Sequence, residues 1–244
     1  QGPCRFGQYH RYHRMILDEL GFPDVPIYAP DQDDELYEEL QLVDGDFARL
    51  AWQGIVAVDL LEKKLRRVRP YETVRGSADD VYRRHLAAAC EAVQRRQNLV
   101  PVLAHAREDF DAVRVSGAPR PVVGIVGEIY IRSNRFANED IIRQLEDLGG
   151  EVQMPPILEW FLYCNMTSRD RVWRRKKYRQ FFKLLLTDHV QMRLKKRLET
   201  TFKGSLPDWF EPGVEATLRL AAPFIHRSFE GEAVLSVGKS IEFV

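Results

Sequence analysis

The segment 121–152, PVVGIVGEIYIRSNRFANEDIIRQLEDLGGEV, constrains the fold more than any other, because every change of pattern in it carries a boundary signal. Val122, Val123, Ile125 and Val126 form an almost continuous apolar run, the mark of a parallel strand covered on both faces. A polar loop, 128–138, follows. Asn138 is placed to cap a helix, Glu139 and Asp140 put negative charge in its first turn, and Ile141, Ile142 and Leu145 form its buried stripe. Gly149 and Gly150 end that helix before an extended segment near Val152. This order predicts a right-handed β-α-β unit of an open α/β sheet.

Ligands of such sheets gather at the carboxyl ends of the strands. That rule selects Glu128, Tyr130, Arg132, Ser133 and Asn134 after the first strand, and Glu159 and Trp160 after the second. Glu128 and Glu159 are the candidate catalytic carboxylates; Arg132, Ser133, Asn134 and Trp160 are the candidate substrate contacts. Two plainer roles compete with these: an ion pair of Glu128 with Arg132, and Glu159 with Trp160 capping or anchoring a long helix.

The remainder of the chain reads as helix-rich. A first helix ends near Leu20 at Gly21 and Pro23, and 25–28 is a short strand closed by Pro30. Helical spacing then runs over 47–69, with Lys63 to Arg69 placing positive charge at the carboxyl end, where the helix dipole favours it. Ser77 is placed to cap a helix over 78–97, with Val81, Leu86, Cys90 and Val93 near one face, and Pro101 separates a further helical piece. Residues 116–121, rich in Gly and Pro, form the best internal boundary. After Pro155 and Pro156 a helix begins near Ile157, Thr167 or Ser168 caps a second start, and 171–202 is long, basic and amphipathic. Helices over 214–220 and from 231 onward complete the pattern. The fold class is α/β with a partial parallel sheet: 1–43 closes a first α/β half, 44–118 is a helical region, and 119–244 is a second half carrying a basic helical hairpin at about 165–205.

Lys and Arg number 36, as do Asp and Glu, yet the signs are segregated. Residues 31–46 hold eight carboxylates and no base, whereas 169–203 hold thirteen bases and three acids. Such asymmetry points to opposed faces or an intermolecular contact. No nucleic-acid motif accompanies the basic stretch, and no apolar run approaches the ~20 residues of a membrane span, so neither partner is expected. Three scattered cysteines do not make a disulfide framework and fit a cytoplasmic setting. Cys4, at the mouth of the first helix and beside Arg5, has its thiolate favoured and could serve as a metal ligand. Cys90 and Cys164 read as core filler. His10 and His13 share a helix face without a third ligand in view. Gly238-Lys239-Ser240 lacks the first glycine and the strand of a phosphate loop.

The stretches GPCRFGQYHRYHRMILDELGFPDVPIYAPDQD and PVVGIVGEIYIRSNRFANEDIIRQLEDLGGEV, with the following EWFLY, resemble the acyl-CoA dehydratase activase-related proteins. These are similar to the D component of 2-hydroxyglutaryl-CoA dehydratase. The resemblance implies two Rossmann-like halves, an iron–sulfur cluster (4Fe-4S) with Cys4 as one ligand, and an activase ATPase domain or subunit as redox partner. It implies a CoA thioester or similar small molecule as substrate, a homo- or hetero-oligomer, and further cysteines outside this sequence, which reads as a piece of a longer chain. Some relatives carry a cysteine where Gln1 stands. Two other classes compete: a non-enzymatic module that docks subunits through its charged faces, and a CoA- or nucleotide-binding α/β domain without a cluster.

Overall fold

The computed structural model describes residues 5–27, 29, 46–208, 210, 211, 213–229 and 231–243. Helices and strands follow as α1 (Tyr9–Glu19), α2 (Phe47–Val68), α3 (Ser77–Gln94), α4 (Leu99–Ala112), β1 (Val122–Gly124), α5 (Ile129–Ser133), α6 (Ile141–Asp147), β2 (Glu151–Gln153), α7 (Ile157–Arg174), α8 (Tyr178–Glu199), α9 (Val214–Ala221) and α10 (Glu232–Glu242). The molecule is helix-rich with a small parallel sheet. Among the described residues, no helix is long and apolar enough to cross a membrane.

The main core is built around α2. Trp52, Val56, Leu60 and Leu61, Leu65 and Val68 recur at helical spacing and are buried against Val81 and Ala89 of α3, Leu103 and Phe110 of α4, Leu158 of α7 and Leu198 of α8. Each fully buried Leu or Val contributes roughly 1.5–3 kcal/mol. A second cluster joins Tyr163 and Met166 of α7 to Val214 and Leu218 of α9 and Val234 and Leu235 of α10. Helix α7 therefore belongs to both.

The cations at the carboxyl end of α2 are not a solvated cap. Arg69 binds Glu146 through Nε (2.7 Å) and Nη2 (2.8 Å) and also Asp79 (3.1 Å), Lys64 binds Asp111 (2.7 Å), and Arg67 pairs with Glu151 of β2. Arg67 and Arg69 staple the helical core to the α6–β2 segment, while Lys64 ties α2 to the end of α4. Burial works against the charge of Arg69, yet the carboxylates around it outweigh burial and raise its pKa.

The β-α-β unit has the parallel pairing the pattern predicts: Val122 faces Glu151, Val123 faces Val152 and Gly124 faces Gln153. Its details differ from the sequence reading. Strand β1 is not covered on both faces, since Val122 is 50% exposed; β2 takes the buried position against α2 and leaves β1 outside it. The expected loop contains a short helix, α5, capped by Glu128. Asn138 does not cap α6; its Nδ2 donates to the carbonyls of Ile131 and Arg132, and Asp140 occupies the capping position in the left-handed region (φ 55°).

Other expectations are corrected by local chemistry. Residues 25–27 form no strand, because the Arg14 guanidinium donates to the carbonyls of Val25 and Phe22 and holds the chain in a turn; Tyr28 and the acidic 31–45 lie outside the described residues. Ser77 is the first residue of α3 rather than its cap, and Glu72 takes over by accepting from the backbone of Gly76 and Ala78. Pro101 sits inside the first turn of α4, where its missing N–H has no helical partner to lose, and Asn98 caps that helix instead. Cys90 is exposed, because the buried stripe of α3 runs through Val81, His85, Ala89 and Ala92 and passes one residue to its side. Thr167 starts no new helix: its hydroxyl donates back to the Cys164 carbonyl within α7. The break comes at Arg175 to Lys177, and the Asn165–Gln191 and Arg169–Asp188 bonds show α7 and α8 running antiparallel.

Helices α9 and α10 cross closely at Gly238. A Cβ added there would lie 2.3 Å from the Thr217 carbonyl oxygen, which no rotamer change can relieve. Gly238→Ala is therefore expected to cost about 1–3 kcal/mol, as overpacking does, read as a lower urea midpoint with an unchanged slope.

Candidate functional site

Helix α7 begins without a cap of its own, since Pro156 has no side-chain acceptor. The acceptor comes from α2. Asp59 receives the backbone N–H of Ile157 through Oδ1 (3.0 Å) and that of Leu158 through Oδ2 (2.9 Å), so a helix end formed by one part of the chain is closed by another. The next residue, Glu159, is thereby fixed in the first turn of α7.

Glu159 is buried, and it lines a cleft with Val126, Gly127, Ile129, Arg132, Pro155, Trp160, Glu232, Leu235, Ser236 and Lys239. The cleft opens where β1 ends. On its other side Glu159 also lines a second cleft, with Asp59, Lys63, Arg66, Lys195, Glu199 and Glu211. Its Oε1 accepts from the Thr217 hydroxyl at 2.9 Å and lies 3.6 Å from Lys239 Nζ. Burial raises its pKa, against Lys239 and Thr217. Lys239, the strongest opposing influence, divides its charge among Glu159, Glu211 and Glu242 and lies nearest Glu242, at 2.9 Å. Those carboxylates outweigh burial and raise the pKa of Lys239. A buried carboxyl group with a raised pKa, hydrogen-bonded to Thr217, has the placement asked of a general acid or base.

Arg132 is different. Burial lowers its pKa, against the pull of Glu159 and Glu232, and its Nε is buried without a hydrogen-bond partner.

Of the residues selected from the sequence, Arg132, Glu159 and Trp160 meet on this one cleft. Glu128 lies at the start of α5, where one carboxylate oxygen accepts from the Ile131 N–H at 2.7 Å. Neither it nor Ser133 nor Asn134 lines the cleft; Ser133 is exposed, and Asn134 Oδ1 accepts from the N–H groups of Phe136 and Ala137. Tyr130 packs against Tyr9 of α1 with the rings tilted by 53° and their centroids 5.3 Å apart. Sequence reasoning missed Asp59, Thr217, Glu232 and Lys239. A signal existed for Lys239 alone, as a lysine on the apolar stripe of an amphipathic terminal helix.

Cys4 lies outside the described residues. Cys90 on α3 is exposed and Cys164 on α7 is half-buried. Among the described residues, no group of three or more His, Cys, Asp or Glu could hold a metal ion. Comparison with family models, with curated proteins and with solved structures gave no match.

Asp59 makes the site sensitive to pH. Burial raises its pKa to about 7, against the two backbone N–H bonds. The folded state thus holds a proton between about pH 4 and 7 that the unfolded chain has released, so stability falls as pH rises through that window, by at most about 1.4 kcal/mol per unit. Urea midpoints at about pH 5 and about pH 8 should show this fall, and Asp59→Asn should flatten it. The same fall in both proteins would assign it elsewhere.

Proposed function

We propose that this chain is the substrate-binding part of an iron–sulfur protein of the 2-hydroxyacyl-CoA dehydratase and activase system. Its task is low-potential electron transfer to, or radical chemistry on, a CoA thioester or similar small substrate. The observation that carries the reading is the convergence of Arg132, Glu159 and Trp160 on one cleft where a parallel strand pair ends, which is where open parallel sheets take their ligands. In this reading the pair belongs to a Rossmann-like half, the α7–α8 hairpin is inserted in it, and an activase ATPase domain or subunit is the redox partner.

Cys4 is assigned as a cluster ligand on the family resemblance and on its place in the sequence just before α1. The cluster, when bound, supplies one-electron chemistry. The chain's own residues bind and wall the substrate through Arg132 and Trp160, and hold or move a proton at the Glu159 carboxyl group. Natural-length protein prepared without oxygen should contain iron and acid-labile sulfide, and Cys4→Ala should lose or alter them. Iron absent from both, or equal in both, would sink the assignment of Cys4.

A second reading is a docking module. Trp173, Tyr178, Phe182 and Leu186 on the α7–α8 hairpin are at least half-exposed, and Arg174, Lys176, Lys177 and Arg179, beside the first two in sequence, are exposed as well. It predicts association that weakens with salt and survives Cys4→Ala.

A further inference from the structure

We infer that the cleft at the end of β1 is an anion subsite, in which the Arg132 guanidinium grips the carboxylate or phosphoryl group of a small organic acid. This deepens the proposed function and rests on that cleft being the substrate cleft.

The charges around Arg132 are already committed. Glu159 receives the Thr217 hydroxyl at 2.9 Å, Glu232 receives the Ile129 N–H at 2.8 Å, and Lys239 donates to Glu242 at 3.0 Å. The Arg132 side chain forms no hydrogen bond or ion pair among the described residues, although its Nε is shut off from water. A guanidinium in that condition is costly until two oxygens complete it, and its planar fork matches the paired oxygens of a carboxylate or phosphoryl group. Val126, Pro155, Trp160 and Leu235 supply an apolar wall for the rest of the ligand.

The test is calorimetric titration of natural-length protein with sodium butyrate, inorganic phosphate and, as the cationic control, butylamine. Butyrate or phosphate should bind and butylamine should not; which anion binds identifies the headgroup. Arg132→Gln should weaken that anion about tenfold or more, with Arg132→Lys between the two, since it keeps the charge and loses the fork. In the unaltered protein the side-chain Nε–H resonance of Arg132 should shift with the same anion. An affinity unchanged in folded Arg132→Gln overturns the inference, and so does an Nε–H resonance that neither anion moves. The resonance decides the matter if the variants fail to fold. Iron and sulfide measured on the same samples separate the two claims: anion binding without iron removes the cluster and leaves the subsite standing.

Discussion

The bond on which the site depends joins Asp59 to the first turn of α7. A helix start leaves backbone N–H groups without partners, and here the sequence places prolines before it and no capping side chain. A carboxylate from the middle of α2 closes the gap and fixes where α7 leaves the main core. Because Leu158 then packs into that core while Tyr163 and Met166 pack on α9 and α10, the cap sets the position of both hydrophobic clusters relative to each other. Glu159 and Trp160 sit between them. Their place in the cleft is a by-product of how the two clusters are joined.

Ionic links repeat the same logic farther along α2. Lys64, Arg67 and Arg69 reach three different parts of the chain: Asp111 at the end of α4, Glu151 on β2 and Glu146 on α6. Removing one partner of such a pair leaves a charge half out of water, which costs more than the pair contributes. These contacts therefore choose among arrangements of the helices more than they add to stability.

Much of the helical framework was legible, because apolar residues at helical spacing and the Pro and Gly stops mark α2, α3, α4, α9 and α10 directly. The parallel pairing of β1 with β2 was legible for the same reason. Helix starts were read less well. Asn138 and Ser77 are good capping residues by type, but Asp140 stands at the start of α6, Glu72 serves α3 across a turn, and Asp59 serves α7 across the chain, and spacing cannot show this. The cleft was half legible: the rule about strand ends selected Arg132, Glu159 and Trp160, whereas Thr217, Glu232 and Lys239 come from helices whose approach is set by the Gly238 crossing. Cys90 misled because a stripe read from four apolar positions on a helix is uncertain by one residue, and one residue turns a side chain through about 100°.

The reach of the Asp59 cap also orders events in time. The contacts among α2, α3 and α4 join neighbours in sequence and close small loops, so they form early and fast. The bond from Asp59 to Ile157 closes a far longer loop and waits for it. Because the cap and the cleft share the first turn of α7, losing the cap loosens the cleft, and any molecule that binds there stabilises the long closure as well.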